Sequence, residues 1–190
     1  INKNKINIKL MNDQYSEHRR KQADRYDPEI NRIISQFISE KDNININDIT
    51  IQDTEGTLDY QGIDKIVNDT YKFQVKTILY DNFDTVTIPI ADYEKYKTID
   101  NLYVLHSYYN IDSPTLRQYV LFKYSDLLQY ESIRRKRKRG VGAYSRVEDT
   151  STGTDFYYWN YDRIKEIFLV QYNNPGNIPD DYAFIDFDEE

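Results

Sequence analysis

Apolar positions along the chain change period several times, and each change marks an element. Ile30, Ile33, Ile34, Phe37 and Ile38 follow the i, i+3, i+4, i+7, i+8 spacing of one buried helical stripe. The spacing predicts a helix capped by Asp27 and beginning at Pro28, where a missing N–H costs nothing. Upstream, residues 16–25 are polar all round and read as an exposed helical turn or two. The period then drops to two. Ile44 and Ile46, then Ile49 and Ile51, alternate with a change of phase near Asp48 that implies a turn, a bulge or two short strands. Residues 58–67 and 71–80 read as a second and a third strand, the third ended by "DNFD". Residues 83–90 are extended, 91–97 a short helix, and "NLYVLHSYY" and "LRQYVLFKY" two further strands. Ser125 is expected to cap a helix running into "RRKRKR", followed by a Gly, Ser and Thr-rich loop. "FYYWNYDRIKEIFLVQY" mixes helix and strand signals. An early helix, consecutive strands and later alternating elements predict a single mixed α/β domain with a central sheet flanked by helices.

Polar residues interrupt the second and third strands in phase with each other. On the third strand Phe73, Val75 and Leu79 share one face, while Gln74 and Lys76 share the other. The face taken by Asp64 on the preceding strand depends on register, since a slip of one residue sends it to the opposite side. A three-residue loop at Asn68, Asp69 and Thr70, two of which tolerate left-handed backbone, puts Val67 opposite Tyr71, Ile63 opposite Val75 and Asp64 opposite Gln74. A carboxylate, an amide and an ammonium then converge. Hard divalent cations take oxygen ligands of the kind Asp64 and the Gln74 carbonyl supply. Lys76 would orient or deprotonate an attacking water, or steady negative phosphoryl oxygens. The plain alternative is a polar face at a sheet margin.

The residues "GID" at Gly62–Asp64, a nine-residue gap and "QVK" at Gln74–Lys76 resemble the PD-(D/E)XK nuclease superfamily, in its variant with Gln at the second motif. The order of elements from about Pro28 to Tyr130 is similar too: a helix, a strand with an Asp, a hairpin to the second motif, then further strands and helices. The resemblance implies a restriction-endonuclease-like fold and a hydrolase that cuts DNA with Mg²⁺ or Mn²⁺. It implies Asp64 and Gln74 as metal ligands and Lys76 as the catalytic lysine. Glu29 is the best candidate for the first-helix glutamate of many members, with Glu17 the other if the upstream stretch is helical; Asp59 is a spare acid. Gln in place of an acid at position 74 leaves one fewer negative charge to hold a metal. On this reading residues 28–172 form the nuclease-like domain, with a basic, flexible segment at 134–155. Residues 1–27 are an N-terminal extension and 173–190 an acidic tail.

Charge adds a DNA-facing patch. The chain carries a formal net charge of −7; Arg134, Arg135, Lys136, Arg137, Lys138 and Arg139 contribute +6, so the remainder carries −13. Such segregation fits a local contact with phosphates, or a solvated loop. Nineteen tyrosines and eight phenylalanines exclude a disordered chain. With no cysteine, disulfides, thiolate metal sites and a cysteine nucleophile are excluded. No apolar run approaches the ~18 residues of a membrane span, and the polar start is not a secretory signal. A cytoplasmic protein of a host cell, or a virion component, is expected. His18 and His106 lack companions for a zinc site or a catalytic relay, and "GVGAYS" matches no phosphate loop. Two other functions compete with the nuclease. One is a structural or interaction protein, such as a phage virion component, which keeps the fold without the chemistry and assembles as a homo-oligomer or with virion proteins. The other is a regulatory DNA binder that uses only the basic block.

Overall fold

The structure is a computed structural model that describes residues 24–55, 61–79, 85–109, 113–136 and 155–173. The first helix, α1, covers residues 24–42. It is already helical four residues before Pro28, so Asp27 is not its cap. Asp27 instead accepts from Lys65 Nζ at 2.6 Å and from Asn31 Nδ2 at 2.9 Å, contacts that hold it inside the helix. The expected stripe is the buried one: Ile30, Ile33, Ile34, Phe37 and Ile38 pack with Val67, Phe73, Leu105 and Leu121.

After a 3₁₀ turn at Ile46–Asp48, capped by the Asn45 side chain, come β1 (Ile51–Asp53), β2 (Lys65–Val67), β3 (Tyr71–Leu79), β4 (Thr85–Pro89) and α2 (Ile90–Tyr96). The change of phase around Asp48 is therefore a turn. β2 is shorter than the expected strand, because residue 61 is helical and Gly62 turns the chain; residues 56–60 lie outside the described set. The chain continues through β5 (Leu102–Tyr109), β6 (Gln118–Lys123), α3 (Tyr124–Leu127), β7 (Ile133–Lys136), β8 (Asp155–Asn160), α4 (Tyr161–Ile164) and β9 (Val170–Asn173).

Six strands form a mixed central sheet in the order β1-β2-β3-β5-β6-β9, flanked by helices. Among the described residues only β3 and β5 run parallel, with β4 and α2 in the crossover between them. All eight residues of β5 are buried, as a strand covered on both faces requires. Its odd positions, Tyr103, Leu105 and Tyr109, join the cluster under α1. Its even positions, Leu102, Val104 and Tyr108, join a second cluster with Val86 and Ile88 of β4, Tyr96 of α2, Trp159 of β8 and Ile164 of α4.

A separate three-stranded sheet, β4-β8-β7, belongs to this second layer. It corrects the expected helix from Ser125. Ser125 lies within the four-residue α3, and Trp159 Nε1 donates to Tyr130 O at 3.1 Å before the chain enters β7. Pairing of β7 with the aromatic strand β8 overrides the helix propensity of Arg134, Arg135 and Lys136. Among the described residues no helix is long and apolar enough to cross a membrane.

Candidate active site

The hairpin has the expected register. Val67 lies opposite Tyr71 and Lys65 opposite Phe73. The turn works because Asn68 and Asp69 adopt left-handed backbone, with φ of 49° and 54°, the conformation that short polar side chains tolerate. Asp64, just before β2, donates its backbone N–H to Phe73 O at 2.8 Å. Its carboxylate Oδ2 accepts from Gln74 Nε2 at 2.5 Å and from Val75 N–H at 2.7 Å. Gln74 Nε2 also donates to Val75 O at 3.2 Å, and two oxygen acceptors fix which way the amide is turned. Among the described residues, Gln74 Oε1 is buried with no hydrogen-bond partner.

A glycine is required beside this amide. Gly62 has φ of +85°, and a Cβ on it would stand 2.4 Å from Tyr96 Cε1 and 3.2 Å from Gln74 Oε1. Tyr96 closes the site from α2. Burial, then the charges of Asp92 and Asp64, push its hydroxyl well above the ordinary tyrosine range. Lys76 extends from the same face of β3. Its Nζ donates to Asp92 Oδ2 at 2.9 Å and lies 5.8 Å from the Tyr96 ring centre. Both side chains of that ion pair are 23% exposed, so solvent reaches it.

Behind Lys76 stands His106, its register partner on β5. His106 is fully buried. Nε2 accepts from Thr87 N–H at 3.3 Å, and Nδ1 has no partner. Burial, with the nearby Lys76 charge, drops the imidazole to about 3, so the ring is neutral.

The structure thus brings Asp64, Gln74 and Lys76 to one face and adds Asp92, Tyr96 and His106 to them. It does not bring Glu29. That residue lies on α1, across the sheet, where Oε2 accepts the Leu116 N–H at 2.8 Å. Arg134, Arg135 and Lys136 occupy β7, opposite Tyr157, Phe156 and Asp155. Arg137, Lys138, Arg139, Glu17, Asp59 and His18 lie outside the described residues, as does the acidic tail beyond Asn173. Asp92 was missed because only tertiary packing joins α2 to β3; its one sequence signal is an acid in the first turn of a helix that follows the lysine-bearing strand.

The groups that could seat a divalent cation here are hard but few: the Asp64 carboxylate and the Gln74 amide oxygen. Mg²⁺ typically takes one or two carboxylates and keeps several waters. Gln74 Oε1, buried and unpartnered, and the Asp64 carboxylate suit that chemistry. Among the described residues no group of three or more His, Asp or Glu side chains forms a fuller set. No protein-family model matches the chain, and no curated protein matches it either.

Proposed function

We propose that the chain is a Mg²⁺- or Mn²⁺-dependent nuclease of restriction-endonuclease-like fold that hydrolyses DNA phosphodiester bonds. The observation that carries this reading is the convergence of Asp64, Gln74 and Lys76 on one face of the hairpin, with Asp64 and Gln74 in direct contact at 2.5 Å. The order of elements supports it: a helix, the hairpin, a crossover helix and a parallel partner strand. Asp64 and Gln74 Oε1 would hold the cation, which when bound supplies an activated water and neutralises phosphate charge. Lys76, ion-paired with Asp92, is placed to steady negative phosphoryl oxygens or to orient the attacking water. Val75 N–H and the Gln74 amide keep the Asp64 carboxylate turned into the site. Arg134 to Arg139 would grip the DNA backbone without reading sequence. Such an enzyme would work in a host cytoplasm or travel with a virion.

Plasmid cleavage with Mg²⁺ tests the proposal. Wild type should cut, while Asp64→Ala and Lys76→Ala should each lose about a hundredfold or more, the scale on which catalytic groups act. Equal cleavage by all three removes the assigned roles.

One observation favours a second reading, a non-catalytic interaction protein such as a phage virion component. Asp64 Oδ2 already accepts two N–H donors, so the carboxylate is held within the protein without a cation. A defined oligomer, with no heat of Mn²⁺ binding by calorimetry, is the result that selects this alternative.

A further inference from the structure

Lys76 carries three N–H donors and no acceptor, so its partner reveals what chemistry the site is shaped to receive. That partner is the carboxylate of Asp92, at 2.9 Å. A carboxylate offers two oxygens to an ammonium much as a phosphodiester offers its two non-bridging oxygens. His106, the register neighbour of Lys76, is a histidine, which carries no negative charge in either protonation state, and its Nε2 accepts from Thr87 N–H, so it offers Lys76 no counter-charge. We infer that Asp92 is an internal stand-in for a substrate phosphate, holding Lys76 until a phosphodiester displaces it. This rests on the nuclease reading and adds a residue outside the motif to its site.

Two further observations make the exchange feasible. The pair is partly exposed, so an incoming phosphate meets it without opening the core. The second oxygen of Asp92 lies 3.7 Å from Lys95 Nζ on its own helix, so the displaced carboxylate keeps a counter-ion. The helix itself need not move: Tyr96 is buried at its C-terminal end, and Tyr124 donates its hydroxyl to Tyr93 O at 2.9 Å. Only two side chains change partners. Asp92 is therefore a positioning residue, which sets where the Lys76 ammonium waits and sets a threshold for the anion that claims it.

The test is binding of a short fluorescein-labelled DNA duplex to the full chain by anisotropy, in EDTA so that binding is read without cleavage. Asp92→Asn keeps the shape and removes the competing charge; it should tighten binding about two- to fivefold, the worth of a partly exposed ion pair. The same substitution in a Lys76→Met background should give no gain. An equal gain in both backgrounds would mean that only a negative charge had been removed, and it overturns the stand-in role, as does no gain or a loss in either. If wild type binds and cuts while Asp92→Asn gains nothing, this role falls and the nuclease reading stands. If no variant binds in EDTA or with Ca²⁺ in place of Mg²⁺, while circular dichroism shows the native fold, both fall.

Discussion

Gly62 is closely enclosed beside the hairpin, and its cost of replacement follows from geometry alone. Alanine there would need left-handed backbone and would push a methyl group into the Tyr96 ring. Gly62→Ala should therefore destabilise the fold by about 1–3 kcal/mol, read from urea midpoints, with site geometry lost before global unfolding. His106 makes a pH prediction with a definite sign. Its folded value lies near 3, below the ordinary 6.5, so between those limits the unfolded chain takes up a proton that the folded chain refuses. Stability contributed by the neutral ring is complete above pH 6.5 and drains away as pH falls toward 3. His106→Gln, which keeps an acceptor for Thr87 N–H, should lose less stability than wild type between neutral pH and about pH 4 in the same urea titration. At this scale the Asp64–Gln74 contact was legible in the sequence, because strand alternation and the parity of a three-residue loop determine it. Asp92 and the Thr87 contact of His106 were not, since both arise from groups brought together only by tertiary packing.

The hairpin turn carries the register for the whole site. Both Asn68 and Asp69 hold positive φ, and Asn68 Oδ1 also accepts the Thr50 N–H at 2.9 Å, tying the turn to the segment before β1. Asp69→Gly should be tolerated, whereas Asp69→Val should cost ~1–2 kcal/mol for forcing a β-branched residue into left-handed backbone. Equal stability of the two variants by thermal unfolding would show that the turn does not constrain the register. Elements whose patterns are local were readable: the α1 stripe, β3, α2 and β5 all lie within a few residues of their expected bounds. The stretch from Ser125 misled because long charged side chains favour a helix, while its strand form depends on β8, some twenty residues further on. Asp27 misled for a related reason. Aspartate before proline is a strong capping signal, but here Lys65 and Asn31 claim its carboxylate from within the helix.

For the molecule as a whole, alkali is the predicted weakness. Tyr96 and Tyr124 are held well above the ordinary value by burial first, and Tyr71 is raised to about 12 chiefly by its hydrogen bond to Asp42. Lys65 is also raised: burial opposes its charge, but hydrogen bonds to Asp27 and Asp53 outweigh that. Every one of these groups keeps its proton longer when folded, so stability is intact below about pH 10 and falls as pH climbs past it. Urea midpoints that stay level to about pH 11 would contradict this ordering. Within the central mixed sheet β3, β5 and β6 were legible in the sequence as extended segments, whereas β9 lies in a stretch that mixes helix and strand signals. The second sheet was not legible, since its three strands come from distant segments and share no local pattern. The chain's single tryptophan, Trp159, sits in that second layer, beside Tyr93 and Tyr157. Its fluorescence therefore watches one layer of the molecule, while the helical circular dichroism is weighted, among the described residues, toward α1 in the other. Melting curves that part company between these two signals would mean the layers can separate, leaving Asp92 free to swing off Lys76 while the hairpin beneath still holds.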